Sequence, residues 1–169
     1  MPFRVGAAFS IPNAKTELIY MIQRIQSVYL LIVAILSVII ISNPIGSLVG
    51  TDNSITEFTN LSLVYQDGAK NYEPWALFAI QLLSAMISFV TIFLYKRRML
   101  QLRLSIFNIV LGIGYYGALV TFVLLLKGDA SFVPSWIVCL PFAGIVLDWL
   151  AIRAIGKDEM LVRAYDRLR

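Results

Sequence analysis

The sequence predicts an all-α membrane protein, a four-transmembrane-helix bundle with both termini in the cytoplasm (N-in/C-in). Three observations carry this. Four apolar runs each approach the roughly 20 helical residues that cross a hydrocarbon core of about 30 Å. Apolar residues make up 59% of the 169-residue chain and charged ones only 14%, against roughly 25% charged in soluble domains; mean hydropathy is +0.80. The basic residues also segregate to one set of connecting segments. A chain this short cannot wrap four such helices in a polar shell, which disfavours a soluble fold.

Span one covers about 25–42 and stops at Asn43-Pro44, because proline cannot continue a helix and disfavours it in the residue before. Span two covers 75–95 and ends at Lys96-Arg97-Arg98. Span three covers 104–126 and is closed by Lys127-Gly128-Asp129. Span four covers 133–152, with Pro134 in a first turn that tolerates it. Before span one lie Arg4, Lys15 and Arg24; between spans two and three lie Lys96, Arg97, Arg98 and Arg103. After span four come Arg153, Lys157, Arg163, Arg167 and Arg169, leaving only Lys70 and Lys127 opposite, so twelve of the fourteen basic residues share one side. The positive-inside rule assigns that side to the cytoplasm. Tyr72, Trp75, Phe132 and Trp136 then mark the outer boundary, and Tyr95 and Trp149 the inner one.

The external loop 43–74 carries an alternating stretch, Ser54 to Tyr65, followed by the turn signal Gln66-Asp67-Gly68. This predicts a small β-hairpin. Asn60-Leu61-Ser62 matches the glycosylation triplet, a pattern too frequent by chance to weigh. Residues 1–20 differ in character from the rest of the chain and read as a disordered extension or a start-site artefact, with Met21 as the initiator. Residues 21–156 form the membrane domain. After Gly156 the tail 157–169 reads as a short amphipathic helix, with Leu161, Ala164, Tyr165 and Leu168 as its apolar strip. Arg163, Arg167 and Arg169, with Lys96, Arg97, Arg98 and Arg103, are the basic anchors for anionic lipid at the cytoplasmic face; alternatively the tail docks on a partner.

Three blocks resemble a known family: Met21-Ile22-Gln23-Arg24-Ile25-Gln26, Tyr95-Lys96-Arg97-Arg98-Met99-Leu100-Gln101, and the terminal Asp158-Glu159-Met160-Leu161-Val162 with Asp166-Arg167-Leu168-Arg169. Together they are similar to an uncharacterised family of small four-span inner-membrane proteins of Bacteroidetes, defined as a domain of unknown function. The resemblance spans 21–169 and implies a multi-pass protein of the bacterial inner membrane. It implies no activity, cofactor or catalytic residue.

Catalytic chemistry is poorly provided for. The chain has no histidine and one cysteine, Cys139, so Cys/His zinc sites, Ser-His chemistry and dithiol exchange lack their parts. No enzyme activity, metal or cofactor is expected, and no nucleic-acid module accompanies the net charge of +4. Asp148 is the one acid inside a span, where an ionised carboxylate is costly and usually faces a bundle interior or a water path. Asn108, Gln26 and Tyr95 fall near its depth, forming a candidate proton- or ion-responsive site. The alternative is that Asp148 pairs with Arg103 or Arg153 and fixes packing.

In span two, Gln81, Ser84, Ser88, Thr91 and Tyr95 recur every three or four residues and share one helix face. That face either lines an aqueous path or packs against a neighbouring helix. Gly114/Ala118 and Gly117/Thr121 in span three, beside Gly112, are small-xxx-small pairs for internal packing, for a homo-oligomer or for a membrane-protein partner. Cys139 reads as a small packing residue. The functional expectation is a non-enzymatic accessory subunit or scaffold; the alternative is a small oligomeric transporter or channel using Asp148.

Overall fold

The structure, a computed structural model, describes the backbone of residues 14–94 and 97–166, and the side chains of residues 27–94, 97, 99–156 and 160. Four long helices are joined by short strands: α1 (Ala14–Ser42), β1 (Gly46–Val49), β2 (Ile55–Phe58), β3 (Leu63–Val64), β4 (Lys70–Asn71), α2 (Trp75–Phe93), α3 (Arg98–Leu126), β5 (Ser131–Pro134), a 3-10 helix (Trp136–Cys139) and α4 (Leu140–Asp166). The helices pack as a ring in which α1 and α3 each touch α2 and α4.

Among the described residues, three helical segments are long and apolar enough to cross a membrane: Trp75–Phe93, Met99–Leu126 and Trp136–Gly156. The described apolar part of α1, Ser27–Ser42, is shorter. Four spans are expected from the sequence and three are met here. The helix α1 itself runs from Ala14 to Ser42, stopping at Asn43-Pro44, and the side chains of residues 14–26 lie outside the described residues. The expected disordered extension 1–20 is therefore corrected for 14–20, which are helical; residues 1–13 lie outside the described residues.

The segment 43–74 builds more than a hairpin. All five strands join one antiparallel sheet in the order β4-β3-β2-β1-β5. The strand expected from Ser54 to Tyr65 is broken at Thr59–Ser62, where Thr59 Oγ1 donates to the Ser62 carbonyl (2.6 Å) and accepts from the Ser62 amide (2.9 Å). That local side-chain bonding competes with the ladder. The turn at Gln66-Asp67-Gly68 forms as expected: Gly68 has φ 83° and donates to the Tyr65 carbonyl, and Asp67 Oδ1 accepts from Ala69. Asn53, at φ 61°, makes the earlier turn, a conformation Asn tolerates better than most residues.

Strand β5 comes from the second connection, which the sequence pattern assigns to the start of span four. Pro134 sits there in an edge strand, which needs no N–H from it, and the helical backbone begins only at Trp136. At the other end Gly156 does not stop the helix. The expected separate tail helix is instead the last turns of α4, continuous to Asp166. The side chains of residues 161–166 lie outside the described residues, as do Arg167 and Arg169 altogether.

Because strands flank the C-termini of α1 and α3 and the N-termini of α2 and α4, one sheet closes one end of the ring. Ile40, Ile45, Leu48, Phe58, Leu63, Leu77, Tyr115, Leu119 and Ile137 form a single buried cluster at that junction, each large apolar side chain contributing about 1.5–3 kcal/mol by leaving water. Phe58 meets Phe132 edge to face at 5.9 Å.

Asn60 is the keystone of that junction. Its Nδ2 donates to the Ile40 carbonyl in the last turn of α1 (2.6 Å). Its backbone carbonyl accepts from the Phe78 amide in the first turn of α2 (3.1 Å). Its Oδ1 accepts from the Tyr115 hydroxyl of α3 (2.8 Å). Two orphan groups of helix termini are thereby satisfied. A residue buried this completely, at 0% exposure, presents no acceptor for a glycan, so the Asn60-Leu61-Ser62 triplet is structural.

Candidate functional site

The helix ring is polar inside and apolar outside. On α2, Gln81, Ser84, Ser88 and Thr91 are buried, while Leu82, Leu83, Met86, Phe89, Val90 and Phe93 are exposed. A surface of that kind suits hydrocarbon and not water. On α3 the inward face reads Gln101, Ser105, Asn108, Gly112 and Tyr115, spaced by three or four residues, while Ile106, Phe107, Val110 and Ile113 face out. Of the α2 stripe, Gln81 and Ser84 line a small cavity inside the ring, Ser88 bonds α3 through Asn108, and Tyr95 lies outside the described residues.

Asp148 lies at the centre of this layer, near the middle of Trp136–Gly156 and 2% exposed. Its partner is Asn108, whose Nδ2 donates to Asp148 Oδ2 (2.7 Å) and to Ser88 Oγ (3.0 Å). One amide thus joins α2, α3 and α4. The expected pairing with Arg103 or Arg153 is not what forms: Arg103 is exposed, and Arg153 lies over the Trp149 ring at 5.6 Å. Each long cation reaches toward the surface instead of inward. Asp148 Oδ1, Asn108 Oδ1 and Ser105 Oγ are buried without a hydrogen-bond partner.

Beside them lies a cavity of about 20 Å³, room for about one water-sized occupant. Its polar lining is Ser37, Gln81, Ser84, Asn108 and Asp148, and the Gln81 side chain makes no hydrogen bond to any described residue. Of the other candidates for this site, Gln26 lies in α1 with its side chain outside the described residues, and Tyr95 lies outside them entirely.

Apolar residues close the sheet end of this layer. Tyr116 ties it down, its hydroxyl donating to the Val138 carbonyl (2.6 Å) and accepting from the Phe142 amide (3.0 Å). The family's model, a domain of unknown function (DUF4293), matches residues 22–168. The chain belongs to that family. No curated protein and no solved structure matches it. The matched stretch of DUF4293 therefore takes in α1 from Ile22 onward, the other three long helices, the sheet and the Asp148 layer.

The small residues of this DUF4293 chain divide in an unexpected way. Gly112 faces the helix contact, where an added Cβ would lie 2.7 Å from Ile145 Cγ1; at Gly114 and Gly117 nothing lies within 4 Å. Ala118 packs at the margin of the core, and Thr121 turns outward to its own helix, Oγ1 donating to the Gly117 carbonyl. Gly114 and Gly117 thus take no part in the internal packing expected of them. Replacing either by alanine is expected to leave stability unchanged or raise it by about 0.5–1 kcal/mol, alanine being the better helix former. Thermal unfolding in detergent measures this, and a loss above about 1 kcal/mol would contradict their outward placement.

Cys139 is exposed, so it does not fill the packing role expected of it. Among the basic anchors, Arg97 and Arg103 are exposed; Lys96 lies outside the described residues, and so do the side chains of Arg98 and Arg163. Among the described residues no group of three or more His, Cys, Asp or Glu gathers. Sequence reasoning misses Gln101, Ser105, Ser37, Tyr115 and Asn60. The first two were legible, since Gln101–Ser105–Asn108 has the same helical spacing as the stripe on span two. Tyr115 and Asn60 meet across 55 positions, which no local pattern announces.

Proposed function

We propose that this is a four-span protein of the bacterial inner membrane, both termini cytoplasmic, acting without chemistry of its own as an accessory subunit or scaffold. The observation that carries the reading is the sheet built from both connections at one end of the helix ring, with the apolar cluster beneath it. Such a cap favours a fixed platform over a conduit. The charge distribution supports the orientation: Asp52, Glu57, Asp67 and Glu73 lie on the sheet segment, and Arg97, Arg103 and Arg153 at the far end of the helices. The sheet surface carries at least one fixed negative charge, since the Ser54 hydroxyl and amide bond Asp52 and hold its carboxyl below the usual range.

Orientation is testable with single cysteines in a chain whose exposed Cys139 is replaced. Asp67→Cys is expected to react with an impermeant maleimide in intact cells, and Arg97→Cys only after permeabilisation; the reverse pattern would overturn the topology. For the role, purification from native membranes in mild detergent is expected to yield a partner protein in fixed ratio. A homogeneous species holding this chain alone would overturn it. The second reading, a small oligomeric transporter or channel, is favoured by the polar layer at Asp148. Ion flux in proteoliposomes that Asp148→Asn abolishes would establish that reading instead.

A further inference from the structure

The buried layer holds two carbonyl-type acceptors that no described donor reaches. Asp148 Oδ1 and Asn108 Oδ1 belong to residues only 2% and 3% exposed, and neither atom has a partner. Both residues line the same cavity. The amide of Asn108 is held by its two N–H bonds to Ser88 and Asp148, so it has only its oxygen left to offer. The remaining polar lining, Ser37, Gln81 and Ser84, supplies three further oxygens, and no lysine or arginine lines the cavity. A carboxylate in such surroundings calls for a positive charge.

We propose that this cavity binds one small monovalent cation of the sodium class, with Asp148 Oδ1 and Asn108 Oδ1 as its principal ligands. Hard cations take oxygen ligands of this kind, carboxylate, amide carbonyl and hydroxyl, and the single carboxylate suits one positive charge better than two. A cavity with room for about one water-sized body admits a dehydrated ion and excludes an organic substrate. The ligands come from different helices, Asn108 from α3 and Asp148 from α4, with Ser37 on α1 and Gln81 and Ser84 on α2, so the bound ion cross-links the ring. The site stands independently of the accessory role: a scaffold and a carrier would both use it.

The test is the thermal unfolding of the purified full-length chain in detergent, at fixed pH and ionic strength, in sodium, lithium, potassium or choline chloride. A ligand that binds only the folded state raises the unfolding temperature in step with its concentration. The wild type is expected to melt higher in sodium than in choline, saturably, with an apparent affinity for potassium at least tenfold weaker. Asp148→Asn, checked for folding by circular dichroism, is expected to lose the sodium dependence. Should that variant not fold, Gln81→Leu and Ser84→Ala are each expected to weaken the apparent sodium affinity severalfold. Identical melting in all four salts would mean that water alone fills the cavity, and would overturn the proposal. So would melting that follows pH but not sodium, which would assign the charge to a proton, or a sodium dependence that persists in Asp148→Asn. Failure to find a partner protein leaves this result untouched, and the converse holds.

Discussion

Asn60→Ala is expected to destabilise the fold by about 3–5 kcal/mol, among the larger effects a single side chain can produce here. The substitution leaves two buried groups without partners: the Ile40 carbonyl, which Nδ2 satisfies at the end of α1, and the Tyr115 hydroxyl, which Oδ1 receives from α3. Each orphaned group costs about 1–3 kcal/mol in a site that water cannot enter, and the missing amide adds a cavity at a fully buried position. The backbone bond from Phe78 to the Asn60 carbonyl survives in the variant, so the loop keeps one of its three anchors. Tyr115→Phe removes only the hydroxyl and is expected to cost about 1–2 kcal/mol, because it orphans Asn60 Oδ1 alone. The two substitutions should be non-additive by about 1 kcal/mol or more, since they share one hydrogen bond. Reversible unfolding of the four proteins of the cycle in mixed micelles measures both terms. A cost for Asn60→Ala below about 1 kcal/mol would mean that the Ile40 carbonyl finds another donor, and the keystone assignment would fall.

Asn60 also marks where sequence reading reaches its limit. The helices were legible because hydrocarbon demands long apolar runs; α3 ends at Leu126 as Lys127-Gly128-Asp129 placed it, while α2 ends at Phe93, two residues before the expected 95. The turn at Gly68 was legible because positive φ favours glycine. Missed was most of what depends on partners distant in the chain. The sequence 131–134 looks like the lead-in to a helix until β1 offers it a ladder. Gly156 looks like a stop signal, yet the helix crosses it, the cost of a helical glycine being only about 1 kcal/mol.

The Asp148 layer was legible in part for the same reason. A single acid in an apolar run identifies itself, and Asn108, expected at the same depth, is its partner. The arginines do not pair with it, because sequence distance carries no information about which way a long side chain turns. Arg153 lies five residues after Asp148, well off its face of the helix, and stacks over Trp149 instead.

Gly46→Val is the second substitution expected to act strongly, at about 3 kcal/mol or more, because the space beside Gly46 is closed by backbone. A Cβ at this position would lie 2.6 Å from the Val133 carbonyl oxygen and 2.8–2.9 Å from the Phe132 ring. At Gly112 an added Cβ would instead meet a side chain, Ile145 Cγ1 at 2.7 Å, which can shift without breaking a backbone ladder, so a cost within the overpacking range of about 1–3 kcal/mol is expected there. The Val133 carbonyl cannot turn away without leaving the ladder that pairs Ser47 with Val133 and Leu48 with Phe132. The branched side chain must therefore push β5 off β1. Phe132 then loses its edge contact with Phe58, and the only strand contributed by the α3–α4 connection separates from the four contributed by the α1–α2 connection. Hydrogen exchange should report this locally: the 131–133 amides are expected to lose protection at least tenfold more than those of β2 and β3. Gly46→Ala should show a milder form of the same pattern. Unchanged protection of 131–133 in Gly46→Val would mean that β5 is not held against β1, and the α1–α2 and α3–α4 connections would then have to be treated as separate surfaces.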